Sequence, residues 1–213
     1  MQLRDVHPTL GFLALDIPTA LQELSRSSPL PLVVVEKIFG DLSCRLVTHD
    51  LMQVARTFLD TPSRLGAAIA LAPTAFDCSS LTKIVYAHAG IFLERYTHLQ
   101  IEAGVAVTEP QAGDLLFTSG PRAWRHKDFP EGIGHVALAT SPTSCMHAGN
   151  GSKKVTEIPI ANLVHPVMAI RRLLPNVHQV TVVVLPDTLL SFSTPREFLA
   201  FLRKHLASQS RSD

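Results

Sequence analysis

Cys78 lies where a helix is predicted to begin. Apolar residues follow it at helical spacing as far as Ala89, and Gly90 is typical of the position just after a helix. Asp77 or Ser79 can cap the free amides of the first turn. The helix dipole and these amides favour a thiolate, so the pKa of the Cys78 thiol is expected below the value of about 8.5 of a free cysteine. The pattern predicts a nucleophile.

Two histidines follow in segments that are predicted to be strands. His135 opens an alternating segment after Gly134, and His147 lies near the end of the next segment. If these strands are adjacent and antiparallel, both imidazoles can lie on one face. His135 would then accept the thiol proton, and His147 would hydrogen-bond its other ring nitrogen. Asn150 and His126 are alternatives for the orienting role.

Cysteine, histidine and a polar orienting residue form the general arrangement of a cysteine acyl-transfer enzyme. The backbone N–H groups of Cys78 and Ser79, at the helix start, are the expected donors to the oxyanion. Five further residues are candidate substrate contacts: Asp77, Ser80, Arg95, Gln100 and Trp124.

A metal site is a competing interpretation of the same residue types. Zinc is bound by the side chains that Cys78, His135, Cys145 and His147 carry. However, neither Cys-x-x-Cys nor His-Glu-x-x-His spacing occurs, and strand alternation would crowd two ligands onto one short strand. No metal and no cofactor is therefore predicted. Cys145 and Cys44 are assigned the structural role that most free cysteines have.

The chain resembles the NlpC-type cysteine peptidases, the bacterial cell-wall family with a papain-like core. Four segments carry the resemblance in the family's order, namely residues 76–81, 93–100, 112–117, and 134–138 followed by 147–148. The resemblance implies that Cys78 is the nucleophile, His135 the base and His147 the third polar residue. It also implies hydrolysis of a peptide or amide bond next to D-glutamate in a peptidoglycan stem peptide, often a γ-D-glutamyl bond to a diamino acid.

Three positions depart from the pattern of that family. Ser80 stands where a glycine is usual, residues 61–63 lack a tyrosine that commonly lines the substrate cleft, and residues 66–68 replace a glycine pair. These departures motivate an alternative, a catalytically inactive or regulatory binding module on the same scaffold. An acyltransferase or deamidase that uses the same thiol is a further alternative.

Composition excludes several other classes of protein. The 213 residues are 46% hydrophobic, enough for one full core and a small added unit. A net charge of +1 gives no broad footprint for nucleic acid, and no apolar run is long enough for a membrane span. Three cysteines argue against a disulfide framework. No signal peptide is recognised, so we expect a cytoplasmic location or export by a signal-independent route.

Helices followed by a run of strands predict the α+β class. Asp50 is predicted to cap a helix over residues 51–59, and the central helix is predicted over residues 78–89. The predicted strands after it are residues 115–117, 135–140, 145–147, 154–159 and 167–173. Residues 118–133 are predicted to form a long loop. Together with the resemblance, this order implies a papain-like core in which the nucleophile-bearing helix packs on an antiparallel sheet.

Three regions are predicted along the chain. An N-terminal extension, residues 1–48, precedes the peptidase domain over residues 49–174, and a strand–helix extension follows over residues 175–213. Further predicted elements are strands over residues 32–35, 42–47 and 180–185 and a helix from Pro195. We expect the two extensions to pack together as one accessory layer.

Overall fold

The computed structural model describes residues 14–16, 40–120, 123–149, 151–184, 200–201 and 204. These residues belong to two compact units. The larger unit contains residues 49–87 and 92–180, and the smaller unit contains the other described residues. The predicted domain boundaries at 48 and 174 stay a prediction. None of the helices in the described part has the length and apolarity needed to cross a membrane.

Among the described residues, three α-helices and eleven strands have both of their ends defined. The helices are α1 (Leu51–Arg56), α2 (Cys78–Ala87) and α3 (Thr97–Gln100). The strands are β1 (Ala14–Asp16), β2 (Arg45–His49), β3 (Val105–Val107), β4 (Leu115–Thr118), β5 (Trp124–His126), β6 (Phe129–Ile133), β7 (His135–Ala139), β8 (Ser144–Ala148), β9 (Val155–Pro159), β10 (Val167–Arg172) and β11 (Val180–Val184).

A six-stranded antiparallel sheet forms the centre of the larger unit, in the order β3-β10-β4-β7-β8-β9. Strand β4 is buried along its whole length, and β7 is buried from its second residue onward. Leu116 of β4 lies opposite Ala137 of β7, and both join a buried apolar cluster. Helix α2 packs on β7 and β8. The predicted α+β fold, with a helix on an antiparallel sheet, is confirmed.

Helix α2 begins where the sequence predicted, and its first turn is capped reciprocally. The Ser80 N–H donates to Asp77 Oδ1 at 2.8 Å, and the Ser80 hydroxyl oxygen accepts from the Asp77 N–H at 2.8 Å. This exchange satisfies backbone donors that a helix start leaves free. The helix ends at Ala87, two residues before the predicted end. Gly90 then takes the positive φ of 74° that glycine adopts at low cost.

The predicted cap of α1 is also confirmed. Asp50 Oδ1 accepts from the N–H groups of Met52 and Gln53 at 2.7 and 3.2 Å. The helix itself ends at Arg56, three residues short of the predicted end, and the chain continues as turns.

The prediction of a long loop over residues 118–133 is wrong in its second half. Strands β5 and β6 form an antiparallel hairpin in which Trp124 lies opposite Ile133 and His126 opposite Phe129. Strand β5 has three residues and is mostly exposed, and only the last two residues of β6 are buried, so neither carries the apolar alternation that marks a strand in sequence. The three-residue strand β3 escaped prediction for the same reason.

The smaller unit contains a three-stranded sheet in the order β1-β11-β2. Strand β11 runs antiparallel to β1, with Val182 opposite Asp16. The strand predicted over residues 32–35 lies outside the described residues. So does most of the helix predicted from Pro195, of which the structure describes residues 200–201 and 204. The proposed accessory layer therefore stays a prediction.

An ion pair between a buried carboxylate and a partly exposed guanidinium ties β10 to the turn that enters β4. Arg172 donates from Nε and Nη2 to the two carboxylate oxygens of Asp114, at 2.9 and 2.8 Å. Asp114 also accepts from the Gln111 N–H, and it is 1% exposed. Loss of the guanidinium would leave a buried carboxylate without its partner cation.

We therefore expect Arg172→Met to lower the free energy of unfolding by about 3 kcal/mol, because it strands the Asp114 charge. Urea unfolding followed by circular dichroism measures the change. Arg56→Met is the matched control, because Arg56 pairs with Glu157 at 3.7 Å on the surface, where about 0.5 kcal/mol is typical. Equal losses in the two variants would contradict the structural role of the Asp114–Arg172 pair.

Candidate active site

The sulfur of Cys78 lies between the first turn of α2 and the start of β7. Cys78 is the first residue of α2, carries a free thiol and is partly exposed. The backbone N–H groups of Ser79 and of Val136, the second residue of β7, are both directed at the sulfur. The packing of α2 on β7 therefore brings the thiol to the start of β7, where His135 directly precedes Val136 in the chain.

The two predicted histidines contact each other. Strands β7 and β8 are antiparallel neighbours, with Leu138 opposite Met146. His135 Nε2 lies 3.0 Å from His147 Nδ1, and the two rings are nearly perpendicular, at 83°. This bond occupies Nε2 of His135, so Nδ1 is the ring nitrogen with which it could accept a thiol proton. The contact agrees with the sequence prediction, whereas the catalytic roles stay a prediction.

Gly149, just after β8, lies against the imidazole of His147. A Cβ added at Gly149 would lie 2.7 Å from His147 Cε1 and 3.1 Å from Nδ1, the atom that meets His135. Carbon atoms do not approach this closely without displacement of one of them. The absence of a side chain at Gly149 therefore permits the orientation of the ring.

Burial is the largest cause of the pKa shifts in the site. It raises the pKa of the Cys78 thiol to about 11, and the Asp77 carboxylate adds to the rise. The amides of Val136 and Ser79 and the Arg95 guanidinium lower this pKa, but by less than burial raises it. The sequence expectation of a pKa below about 8.5 is therefore wrong for the resting protein, because the pattern shows the helix start but not the packing around the sulfur.

Burial changes the pKa values of the two histidines in the opposite direction, because it disfavours their charged forms as well. Burial lowers the pKa of His135 to about 4, and the neighbouring His147 and His165 lower it further. Burial also lowers the pKa of His147. At pH 7 Cys78 is thus a neutral thiol and His135 a neutral imidazole in the resting protein. A neutral His135 can accept a proton when the thiol reacts.

Asp77 and Arg95 brace the helix start on both sides of Cys78. Arg95 binds both carboxylate oxygens of Asp77, at 3.2 and 2.6 Å, and donates to the Ser79 hydroxyl at 2.8 Å. Arg95 also donates to the Ala67 carbonyl at 2.5 Å. Bidentate pairing of this kind fixes geometry as well as charge. The pair holds the residues that flank the nucleophile.

Two of the predicted substrate contacts are structural instead. Ser80 and Gln100 are 0% exposed, so neither offers a surface to a substrate. The Gln100 amide donates to the carbonyl oxygens of Ser79 and Glu94, and its oxygen accepts from the Thr82 hydroxyl. The prediction that both residues contact the substrate is therefore wrong. Both residues stabilise α2 instead. The sequence could not distinguish this role, because polarity alone does not reveal burial.

The alternatives for the orienting residue are placed differently. His126 Nε2 lies 2.8 Å from Glu102 Oε1, on the hairpin, and its other ring nitrogen accepts from the Asp128 N–H. Asn150 lies outside the described residues. Cys145, one of the four residues of the competing zinc interpretation, is buried in the apolar cluster with Leu116.

Two features near the thiol escaped sequence analysis. The Val136 N–H is a backbone group, so no residue type could indicate its position. His165 lies close enough to His135 to lower its pKa, yet it follows an exposed Val164 in a connecting segment that carries no motif. The tertiary structure alone brings both groups to the site.

Comparison with known proteins identifies the family. The model of the NlpC/P60 family matches residues 62–172, just over half of the chain. The chain belongs to the NlpC/P60 family. It is 31% identical over 109 residues to a probable endopeptidase of Corynebacterium glutamicum, which covers 50% of this chain and 46% of that protein.

Two further comparisons show the same likeness. A γ-D-glutamyl-L-lysine dipeptidyl-peptidase of Bacillus cereus is 28% identical over 113 residues, which cover 52% of this chain and 31% of that protein. A crystal structure of an NlpC/P60 family protein from Bacillus cereus superimposes with a TM-score of 0.50 and 27% identity, over 59% of this chain and 40% of that chain. The chain thus spans less than half the length of these curated relatives.

The corrected pKa of the thiol has a kinetic consequence. Far below a pKa of about 11 the thiolate fraction rises tenfold per pH unit, so we expect iodoacetamide to alkylate Cys78 about tenfold faster per unit from about pH 6 to about pH 9. Peptide mapping by mass spectrometry measures the rate at each cysteine. Cys44 and Cys145 are internal controls with a pKa also raised to about 11, and as buried thiols they should react more slowly. A Cys78 rate that levels off below about pH 8 would instead show a resting thiolate–imidazolium pair.

The contact at Gly149 predicts a second effect. Gly149→Ala should displace the His147 ring and break its bond to His135, because the added methyl group occupies the space of the ring. Nitrogen-15 spectra of the imidazoles measure the loss. Gly151→Ala is the matched control, since a Cβ there meets nothing within 4 Å. An unchanged imidazole spectrum in Gly149→Ala would show that the ring does not depend on this contact.

Proposed function

We propose that this protein is a cysteine peptidase or amidase whose nucleophile is Cys78 and whose base is His135. The observation that carries the proposal is the hydrogen bond between His135 and His147 at the start of β7. The next residue of that strand, Val136, directs its N–H at the Cys78 sulfur. A thiol, an imidazole and a second polar group in one site are what nucleophilic acyl transfer requires.

In the first half of the proposed reaction, the sulfur of Cys78 attacks the substrate carbonyl carbon while His135 accepts the thiol proton. The carbonyl π electrons move to oxygen, and the N–H groups of Cys78 and Ser79 stabilise that oxyanion. When the carbon–nitrogen bond breaks, the imidazolium of His135 donates its proton to the departing amine. The product of this half is a thioester on Cys78.

In the second half, His135 removes a proton from water, and the resulting hydroxide attacks the thioester. Collapse of the second tetrahedral intermediate releases a carboxylic acid and returns the proton to the sulfur. His147 holds the His135 ring throughout and stabilises its charged form through the shared hydrogen bond. The Val136 N–H stabilises the thiolate whenever it forms.

The proposed substrate is a peptidoglycan stem peptide, cleaved at a γ-D-glutamyl bond to a diamino acid. Family membership and the name of the Bacillus cereus relative, a γ-D-glutamyl-L-lysine dipeptidyl-peptidase, support this choice. No cofactor enters the proposed steps, because thiol and imidazole supply both the nucleophile and the proton transfers.

The test is digestion of purified stem peptides and wall fragments, with product masses determined by mass spectrometry. Cys78→Ala should abolish cleavage, and His135→Ala should reduce the rate about a hundred- to ten-thousandfold. His147→Ala should leave a larger remainder, because it acts through His135. His178→Ala is a control, since His178 is an exposed histidine that pairs with Asp50.

Two outcomes would reject the proposal. Full cleavage by Cys78→Ala would exclude the thiol as the nucleophile. No cleavage by the unaltered protein, combined with binding of the same fragments, would assign the chain to the alternative class of binding modules. Cleavage at a different amide bond would retain the mechanism and reject the proposed substrate.

A further inference from the structure

His165 lies in a segment that crosses one face of the six-stranded sheet and is held there on both sides by apolar contacts. Leu163 and Val167, two residues before and two residues after it, pack against the buried apolar cluster that contains Ala137 of β7. Val164 is 89% exposed, whereas His165 is partly exposed. The two apolar contacts therefore fix where the histidine lies along this face.

The same face carries both histidines of the candidate active site. Side chains along a strand alternate between its two faces, so His135 shares a face with Ala137, two residues later. His147 bonds to His135 and lies on that face as well. Thr118 of β4 lies opposite His135 on one side and opposite Val167 on the other. The start of β10 is thus two strand spacings, about 10 Å, from the start of β7.

His165 is close enough to the candidate base to act on it electrostatically. Burial lowers the pKa of His135 most, and the charges of His147 and His165 lower it further. Among the described residues, the His165 side chain forms no hydrogen bond and no ion pair. Arg95, a cation beside the helix start, is by contrast engaged with Asp77. His165 is thus a partly exposed imidazole near the base, with ring nitrogens that a ligand can use.

The proposed reaction determines which part of a substrate meets this imidazole. The departing amine takes its proton from His135, so it must come within hydrogen-bond distance of that ring. The amino acid that carries the amine therefore lies beside His135. His165 approaches His135 from the β10 side of the sheet. It is accordingly positioned to contact the departing amino acid.

We propose that His165 binds a carboxylate of the departing amino acid and thereby selects substrates that carry one. A protonated imidazole donates a charge-assisted hydrogen bond to a carboxylate, and such a bond is stronger than one between neutral groups. The carboxylate is either the end of a stem peptide that stops at the diamino acid or part of the side chain of that amino acid. This inference rests on the proposed function and adds a specificity determinant on its leaving-group side.

A carboxylate bound to His165 would also assist the base. His135 becomes an imidazolium during the reaction, and a positive charge on His165 opposes that change. A bound carboxylate offsets this charge, so it stabilises the transition state as well as the complex. An uncharged carboxamide in the same position does neither. A substrate with the carboxamide should therefore be cleaved with a lower kcat.

The test is calorimetric binding of three peptides to the full chain carrying Cys78→Ala. The peptides are L-alanyl-γ-D-glutamyl-L-lysine, the same peptide with a C-terminal amide, and the amidated peptide with diaminopimelic acid in place of lysine. We expect a peptide with a carboxylate on the departing residue to bind about tenfold more tightly than the lysine amide, as one hydrogen bond to a charged group implies. A preference for the lysine acid assigns the terminal carboxylate, and a preference for the diaminopimelic peptide assigns the side-chain carboxylate.

Substitutions at His165 separate this role from a structural one. The additional variant His165→Gln carries no charge and should bind all three peptides equally. His165→Arg retains a positive charge and should keep the preference. His178→Gln, at an exposed histidine that pairs with Asp50, is the matched control and should also keep it. Thermal unfolding of each variant checks that the fold is retained.

Three results would overturn the inference. They are equal affinity of the parent for all three peptides, no binding of any of them, and a carboxylate preference that persists in folded His165→Gln. Cleavage of the same peptides is measured separately on protein with Cys78 intact. Cleavage without a carboxylate preference would reject the role of His165 and leave the proposed function standing. A carboxylate preference in binding without cleavage would do the reverse.

Discussion

The packing of the first turn of α2 against the start of β7 is the contact on which the site depends. It directs the N–H of Val136, the residue after His135, at the sulfur of Cys78. The pairing of β7 with β8 then brings His147 within 3.0 Å of His135. Strand β7 itself is a central strand, paired with β4 on its other side, so the imidazole pair starts from a rigid and buried part of the sheet. Functional groups on such elements keep their geometry better than groups on loops.

Burial favours the uncharged forms of both the Cys78 thiol and the His135 imidazole. Removal of water raises the pKa of the thiol and lowers the pKa of the imidazole, so proton transfer between them is unfavourable in the resting state. The same removal of water strengthens every hydrogen bond to a charge that forms later, among them those from Ser79 and Val136. A bound substrate would supply the carbonyl carbon that makes the transfer favourable.

The side chains around the thiol fall into two groups. One group is buried and holds the helix start, and the other is exposed. Gln100, Ser80 and the Asp77–Arg95 pair turn their polar atoms inward and hold the helix start. On the hairpin of β5 and β6, the Trp124 ring is exposed instead and lies next to Tyr96. The buried polar groups thus hold the candidate site, and the hairpin leaves Trp124 exposed.

Sequence alone determined the candidate site residues and most of the secondary-structure elements. A cysteine after a capping aspartate, two histidines in alternating strands and a run of apolar segments suffice for this, because caps and periodicity are local properties. Proton affinities and the roles of polar residues were decided by the tertiary structure, since both depend on burial by distant segments. The pKa of Cys78 and the inward-facing Gln100 were therefore mispredicted. The hairpin and the stack of Tyr96, His98 and Trp124 also required the fold, because residues far apart in the chain meet there.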